Sequence, residues 1–288
     1  MTHMWLIFLF LFFILGATNS LMRRVLAQKF AEHNMLLNGM FYVFFLLPAG
    51  LGLMLLFPPT LYIGSIDALW LIGGSIIWPL FNIAAFRANK TVDAGIYTIV
   101  ANLSPLFTLA VAVPLMGENV SLPQYAGIGL LMISGVIAVA PGIKNNKLVI
   151  SGLLFALVST ALLGLGVAYE QFMLNRLDLG TYLLYGWGSQ ILWMVLLAAP
   201  KWKYVPTVVK KIGLRTLLVW GSANALKSCC FILTLFFLGS ASIMSGATNF
   251  ISIVIVGAAF FILHERDHLW QKIVAVIIGV MGLFLIAF

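Results

Sequence analysis

The sequence predicts an all-α membrane protein with ten transmembrane helices in two inverted five-helix repeats. Composition is the first reason, because 62% of the 288 residues are hydrophobic and only 8% are charged. Soluble chains average roughly 45–50% apolar and about 25% charged residues. No soluble core of this length could bury so much apolar surface, and disorder requires the opposite composition. The other two reasons are the length of the apolar runs and an internal repeat.

The apolar runs have the length of membrane spans. A helix needs about 20 mostly apolar residues to cross a hydrocarbon layer about 30 Å thick. The ten predicted spans are residues 3–22, 35–57, 67–87, 92–116, 122–141, 148–170, 180–199, 214–237, 240–263 and 270–288. These runs lack the alternation of a β-barrel wall, so we expect helices. Almost no sequence remains for a soluble domain.

A shift of 147 residues aligns the second half of the chain with the first half without a gap. The matched pairs include Gly39 with Gly186, Gly74 with Gly221, Ala94 with Ala241, Asn102 with Asn249, Glu118 with Glu265 and Gln124 with Gln271. Polar matches are informative in so apolar a chain. Each repeat holds five spans, an odd number, so the second copy is inverted relative to the first. Inverted repeats are typical of secondary transporters, whose binding site lies near the middle of the membrane.

Basic residues predict the orientation. Of the 16 lysines and arginines, 14, including Arg23, lie in segments that follow odd-numbered spans, whereas Arg176 alone follows an even-numbered span and Lys227 lies inside one. The positive-inside rule then places both termini outside the cytoplasm. This distribution also explains the net charge of +8 without a nucleic-acid partner. We expect an integral, multi-pass protein of the bacterial inner membrane, as a monomer or weak homodimer.

Three segments resemble the third-to-fourth helix region of the drug/metabolite transporter superfamily, EamA type. They are Arg87–Gly95, Asn102-Leu-Ser-Pro105 and Met116-Gly117-Glu118, with a similar pattern at Gly239–Ser242, Asn249 and His264-Glu265. The resemblance covers the whole chain. It implies EamA-like repeats at residues 1–143 and 144–288, and export or exchange of amino acids, metabolites or drugs by alternating access. Two features differ from the family pattern, since Glu265 follows a histidine and residues 250–253 contain no proline.

Lys227 is the first candidate for a functional residue. It lies near the centre of the eighth span, where a lysine costs about 2.5–3.5 kcal/mol and normally faces a cavity or a partner. Its ammonium is predicted to bind a substrate carboxylate or phosphate, or to carry the coupling proton. The alternative is a structural ion pair within the bundle. Asn224 lies on the same helical face, three residues earlier.

The paired asparagines Asn102 and Asn249 are further substrate-binding candidates. An amide in the membrane interior needs hydrogen-bond partners, so both readings remain open: substrate contact, or a bond that joins two helices. Asn82, Tyr97 and Asn19 are candidates of the same kind. Glu170, at the end of the sixth span, is a candidate proton or cation site, with simple hydration as the alternative.

Structural roles are predicted for three residues. Glu118 and Glu265 recur at the ends of the fourth and ninth spans, where they are expected to cap a helix or lock a turn, and Pro105 belongs to the same group. The segment His264-Glu265-x-x-His268 matches a zinc-protease motif, but that chemistry needs a continuous helix. Here the motif falls between two spans. We therefore predict no metal, no cofactor and no enzyme activity, with an intramembrane zinc protease as a remote alternative.

The sequence as a whole predicts a secondary active transporter for a small polar or amphipathic metabolite, of the amino-acid or organic-anion type. Its expected partners are that substrate and the lipid bilayer, and the expected mode is export or exchange. A multidrug or organic-cation exporter is the alternative within transporters, although the positive charge of Lys227 disfavours it. A scaffold without transport activity is the alternative from another class. Such a scaffold has no use for a lysine in the middle of a span.

Overall fold

The fold is known from a computed structural model that describes residues 4–30, 33–92, 97, 100–139, 150–251, 254 and 269–287. The described residues are almost entirely helical and include no strand, which confirms the predicted all-helical class. The helices are α1 (Met4–Lys29), α2 (Asn34–Leu56), α3 (Ser65–Thr91), α4 (Ser104–Met116), α5 (Leu122–Val139), α6 (Ile150–Leu174), α7 (Leu179–Ile212), α8 (Leu214–Leu238), α9 (Ala241–Thr248) and α10 (Leu269–Ala287).

The described helices fit a multi-pass membrane protein. Five of them, α2, α3, α6, α7 and α8, are long and apolar enough to cross a membrane. Shorter apolar stretches occupy Met4–Ser20, Ser104–Met116, Leu122–Ile137 and Ile273–Ile286. Large apolar side chains such as Leu55 and Trp270 are 85% and 79% exposed, as expected for a surface that contacts lipid. The span predicted at 240–263 is only partly described.

Polar residues and glycines fix several helix ends. The side chain of Asp178 accepts a hydrogen bond from the Thr181 N–H at the start of α7. Ser240 caps α9 in the same way, through the N–H of Ile243. Such caps satisfy N–H groups that have no partner within the helix. Gly117 and Gly239 follow α4 and α8 with φ values of 66° and 72°, a left-handed conformation that glycine adopts without strain.

Two long helices contain π-helical segments. Tyr42–Leu46 lies within α2, and Tyr182–Trp187 lies within α7. A π segment holds one more residue per turn than an α-helix, so it shifts the faces that the flanking residues present. Tyr42 and Tyr182, the first residues of the two segments, are both buried.

The chain divides into two compact units. Unit 1 comprises Met1–Phe86 and Tyr169–Gly239, and unit 2 comprises Arg87–Ala168 and Ser240–Phe288. Each unit therefore combines residues from both predicted repeats. The repeat boundary at residues 143 and 144 concerns sequence similarity rather than contacts, so it stays a prediction.

Within unit 1, helices α1 and α8 pack side by side in opposite directions. Phe8 stacks on Phe237 with ring centroids 5.9 Å apart, and Phe12 packs against Phe231 at 5.7 Å. Helix α2 packs against α7 and α8 in the same unit. This arrangement brings helices from both halves of the sequence around one interior.

Helix α1 is longer than the span predicted at 3–22, because the helix continues to Lys29. Arg23 is therefore part of a helix rather than of a polar loop. Arg24 and Lys29 belong to the same helix. All three cations still follow the apolar part of α1, so the asymmetry of basic residues along the sequence is unchanged.

Within unit 2, helices α5 and α10 pack closely through glycines. A Cβ added to Gly127 would lie 2.7 Å from the backbone oxygen of Gly282, and a Cβ added to Gly282 would lie 2.9 Å from that of Gly127. Small residues allow such close approach of two helices in a membrane. By contrast, a Cβ on Gly129 would meet nothing within 4 Å.

The glycine contact yields a matched pair of substitutions on one helix. We expect Gly127→Ala to destabilise the protein by about 1–3 kcal/mol, because α5 and α10 must move apart. Gly129→Ala should be neutral or stabilising, because alanine favours helix by up to about 1 kcal/mol. Thermal unfolding of both variants in detergent measures the difference. Equal melting temperatures would contradict the close α5–α10 contact.

Candidate functional site

Arg23 is positioned near the end of α1 by neutral partners. Its Nη2 donates a hydrogen bond of 2.9 Å to Oδ1 of Asn82 on α3. The guanidinium carbon also lies 5.7 Å from the ring centroid of Phe81 and 5.6 Å from that of Phe86. Aromatic rings at such distances stabilise a guanidinium by about 0.5–2 kcal/mol. These three partners fix the position of the guanidinium group.

Asn82 links three helices of unit 1. Its Oδ1 accepts from Arg23, while its Nδ2 donates to the Tyr42 hydroxyl at 3.1 Å and to the Trp78 backbone oxygen at 3.0 Å. Both donors and the acceptor of the amide are thus used, and the side chain is buried. The amide orientation is fixed, because exchanging its oxygen and nitrogen would point a donor at Arg23.

Glu170 is a buried carboxylate near the end of α6. Its side chain is 3% exposed, and Oε1 accepts a hydrogen bond of 3.0 Å from the Tyr182 hydroxyl. That hydroxyl in turn accepts from the Gln190 amide at 3.4 Å. The second oxygen, Oε2, is buried and forms no hydrogen bond of good geometry, although the Gln190 amide and the Trp78 indole N–H lie near the carboxyl group. A buried carboxylate oxygen with such weak support is costly, and protonation reduces that cost.

The Tyr42 hydroxyl lies within electrostatic range of both Arg23 and Glu170. It therefore joins the two hydrogen-bonded groups into one interior polar cluster. We define this cluster as Arg23, Tyr42, Asn82, Glu170, Tyr182, Gln190 and Lys227. All of its members belong to unit 1.

Lys227 lies at the middle of α8 and is half-buried. Its charge interacts repulsively with that of Arg23 on the neighbouring α1. Among the described residues Lys227 forms no ion pair, so the structural ion pair considered as its alternative role has no partner there. The cluster thus contains two cations, Arg23 and Lys227, and one carboxylate, Glu170.

Asn224 lies on α8 one helical turn before Lys227. The ring pairs Phe8–Phe237 and Phe12–Phe231 show that α1 and α8 run antiparallel, and in that register Asn19 on α1 is level with Asn224. Both amides are 3% exposed, and Oδ1 of Asn19 has no donor among the described residues. The sequence-predicted residues Lys227, Asn224, Asn82, Asn19 and Glu170 therefore all belong to one compact unit.

The paired asparagines Asn102 and Asn249 belong to unit 2. Both are buried, and the Asn249 amide donates 3.1 Å to the backbone oxygen of Asn102. Each asparagine lies at a break in its helix, just before α4 or just after α9. This contact favours the reading in which the pair joins two helices.

Glu118 caps a helix, although not the next one along the chain. Its Oε1 accepts 2.6 Å from the Ala241 N–H, and Oε2 accepts 3.1 Å from both the Ser242 N–H and the Ser240 hydroxyl. These bonds satisfy the first turn of α9, in line with the structural role expected for this glutamate. Pro105 lies in the first turn of α4, where a missing N–H is not needed.

Several residues that the sequence singles out lie outside the described residues or next to undescribed ones. Glu265, His264 and His268 lie outside the described residues. Tyr97 is described and belongs to unit 2, but its neighbours 93–96 and 98–99 are not. Within the described ranges no cluster of metal-ligating side chains occurs.

Four members of the cluster were not predicted from the sequence. Arg23 was counted as a loop residue, because hydropathy falls after residue 22. Its signal was helical spacing, since it follows Asn19 by four residues. Tyr42, Tyr182 and Gln190 gave no comparable signal. Neutral residues of these types also occur at lipid surfaces and in ordinary helix contacts.

A second group of polar contacts lies in the loops of unit 1. The Thr60 hydroxyl donates 2.9 Å to Oδ2 of Asp178, and the Thr60 N–H donates 2.8 Å to the Thr181 hydroxyl oxygen. Arg176, two residues before Asp178, forms an ion pair with Asp67 at 2.6 Å. Burial alone would raise the pKa of Asp178, but hydrogen bonds from Thr181 and Thr60 outweigh burial and lower it. These bonds tie the loop after α2 to the start of α7.

Comparison with known proteins supports the fold and leaves the activity open. No protein-family model matches the sequence, and no curated protein matches it. The chain is similar to the crystal structure of another protein over 99% of its own length and 98% of that chain, with a TM-score of 0.73 and 15% identity. At this identity the likeness concerns the arrangement of helices alone.

The Asp178 contacts predict a specific response to acid. The pKa of Asp178 is lower in the folded than in the unfolded state, so its stabilisation is present above the unfolded pKa of about 4 and is lost as the pH falls through the folded pKa. Asp178→Asn keeps an acceptor but cannot titrate. We expect the melting temperature of the wild type to fall more steeply below about pH 4 than that of this variant.

Asp178→Ala serves as the second variant. It removes the cap and should destabilise the protein by about 0.5–2 kcal/mol at neutral pH. Parallel pH profiles of the wild type and Asp178→Asn would show that this carboxylate does not contribute to the acid response.

Proposed function

We propose that the protein is a secondary active transporter for a small organic anion or amino acid, working by alternating access. The observation that carries the proposal is Lys227, which lies at the middle of α8, forms no ion pair with any described residue and is repelled by the charge of Arg23 on the neighbouring α1. Two like charges in a poorly solvated interior repel each other strongly. A ligand carboxylate or phosphate relieves that repulsion, so the pair favours an anionic substrate.

A ten-helix, inverted-repeat architecture is part of this proposal, and three features support it. First, α2 and α7, the second helices of the two halves, both contain a π segment. The matched residues Asn102 and Asn249 both lie at helix breaks. The interior polar cluster also draws Arg23 and Asn82 from the first half and Glu170 and Lys227 from the second. Transporters with inverted repeats bind substrate where the two halves contribute in this way.

Glu170 is the proposed coupling site. Its buried carboxylate has one oxygen bonded to Tyr182 and a second oxygen that forms no hydrogen bond of good geometry with a described residue. Protonation of Oε2 removes the buried negative charge. The Tyr42 hydroxyl, which accepts a hydrogen bond from Asn82, lies within the electrostatic influence of both Glu170 and Arg23. We propose that a change in the charge of Glu170 therefore alters the electrostatic environment in which the anion binds.

A multidrug or organic-cation exporter is the second candidate. The buried carboxylate of Glu170 favours this second candidate, because a carboxylate among aromatic side chains attracts cations. The total charge of the cluster favours an anionic substrate instead, since the cluster contains two cations and one carboxylate. The two candidates differ in the sign of the substrate charge, which makes them experimentally separable.

Substitution of the two cations tests the anion proposal. Reconstituted proteoliposomes are screened for uptake of organic anions, amino acids and organic cations, with and without a pH gradient. We expect Lys227→Met and Arg23→Gln to raise KM for the anionic substrate by about tenfold to a hundredfold, because a hydrogen bond to a charged group contributes about 1.5–3 kcal/mol. Lys90→Gln, an exposed cation in unit 2, is the control and should transport normally.

Two results would refute this proposal. One is near wild-type anion transport by Lys227→Met, Lys227→Ala and Arg23→Gln. The other is a screen in which only cations are transported, and it would favour the second candidate. Thermal unfolding of each variant separates loss of transport from loss of the fold.

Substitution of Glu170 tests the coupling step. Glu170→Gln mimics the protonated carboxyl, so we expect uptake driven by a pH gradient to disappear while exchange of internal for external substrate continues. Tyr182→Phe removes the hydrogen bond to Oε1 and should weaken the response to the gradient. Asp67→Asn, in the first turn of α3, is the control carboxylate. A full response to the gradient in Glu170→Gln would exclude Glu170 as the coupling site and leave the anion proposal standing.

A further inference from the structure

A dense group of cations follows the membrane-spanning part of α7. The end of this helix continues as a 3₁₀ segment, Ala199–Tyr204, and a short α-helix, Val205–Ile212. We call residues 199–215 the basic segment. Its cations are Lys201, Lys203, Lys210, Lys211 and Arg215, and the sequence has no aspartate or glutamate between Asp178 and Glu265. The segment itself therefore contains five positive charges and no negative one.

The short helix directs its charges away from the protein. Its apolar residues Val205, Val208, Val209 and Ile212 follow helical spacing, and Val208 is completely buried. The helix packs against α8. Lys210 and Lys211 lie on the opposite, exposed face. Because protein already covers the apolar stripe, the surface that this helix offers to its surroundings is basic.

Trp202 fixes the segment to unit 1. Its indole N–H donates to the Val195 backbone oxygen at 3.4 Å. A Cβ added to Gly39 of α2 would lie 3.4 Å from the Trp202 ring, so the indole rests directly on that helix. The neighbouring Tyr204 is 44% exposed, and Lys203 lies 5.2 Å from its ring centroid. Tryptophan and tyrosine concentrate at the level of lipid headgroups, which is where a segment at the end of a span is expected.

We propose that the basic segment is a binding site for the phosphate groups of anionic phospholipids. Clusters of four to eight lysines and arginines beside a membrane span attract anionic lipids, and the attraction fades within a Debye length of about 8–10 Å. A helix that is fixed by packing presents its cations at constant positions, which a mobile loop does not. The charge rule places this segment on the cytoplasmic side, so the lipids are those of the cytoplasmic leaflet. The proposal does not depend on the transport activity.

Native mass spectrometry of the full-length protein in detergent tests the proposal. Phosphatidylglycerol and phosphatidylcholine are titrated separately, and the bound lipids are counted. We expect Lys203→Gln/Lys210→Gln to weaken phosphatidylglycerol binding by roughly fivefold to 25-fold, since each cation near an anionic surface contributes about fivefold. Phosphatidylcholine binding should not change. Glycerol phosphate at millimolar concentration should not displace the lipid, which distinguishes a lipid site from a site for free phosphate.

Arg87→Gln/Lys90→Gln is the matched control, because it removes two exposed cations from unit 2. It should retain wild-type phosphatidylglycerol binding. Equal losses in the two double variants would overturn the proposal, because binding would then follow total charge. Equal binding of the two lipids by the wild type, or displacement by glycerol phosphate, would also overturn it. Unchanged melting temperatures establish that the variants are folded.

Discussion

The structure of unit 1 depends on how it stabilises charge in an interior that water does not solvate well. Arg23 is held by an amide and two phenyl rings, and Glu170 is held by a tyrosine hydroxyl. Neutral side chains therefore contribute directly to the support of both charges. Hydrogen bonds from neutral groups are strong where water is scarce, and they fix the position of a charge without adding a second charge that must itself be desolvated.

The helix geometry makes this support possible. The π segments begin at Tyr42 and Tyr182, and the hydroxyls of these residues carry the bonds to Asn82 and Glu170. The extension of α1 beyond the predicted span brings Arg23 to the same amide. The antiparallel contact of α1 with α8 then sets Asn19, Asn224 and Lys227 beside it. No single helix contributes a charged residue together with all of its partners.

The sequence predicts those features that follow directly from the distribution of apolar and polar residues along the chain. All-helical structure follows from long apolar runs, and Lys227 and Asn82 stand out because polar residues are rare within them. Arg23 is not recognisable in this way, since hydropathy cannot tell whether a helix continues after its apolar part ends. Tyr182 is not recognisable either. Its role depends on a π segment and on the distant Glu170, and neither the register shift nor the contact follows from local residue preferences.

The two units use their buried polar groups differently. In the described part of unit 2, side chains bond mainly to the backbone: Asn249 to the Asn102 oxygen, Ser134 to the Ala275 oxygen, and Thr108 to the Gly164 oxygen. Backbone groups cannot rotate away, so such bonds fix helices. In unit 1 the cluster contains more bonds between side chains, such as Arg23 with Asn82 and Tyr182 with Glu170, although Asn82 also donates to the Trp78 backbone oxygen. Side chains can exchange one partner for another by changing rotamer, and such an exchange moves no helix. The polar groups of unit 1 can therefore rearrange more easily than those that fix the helices of unit 2.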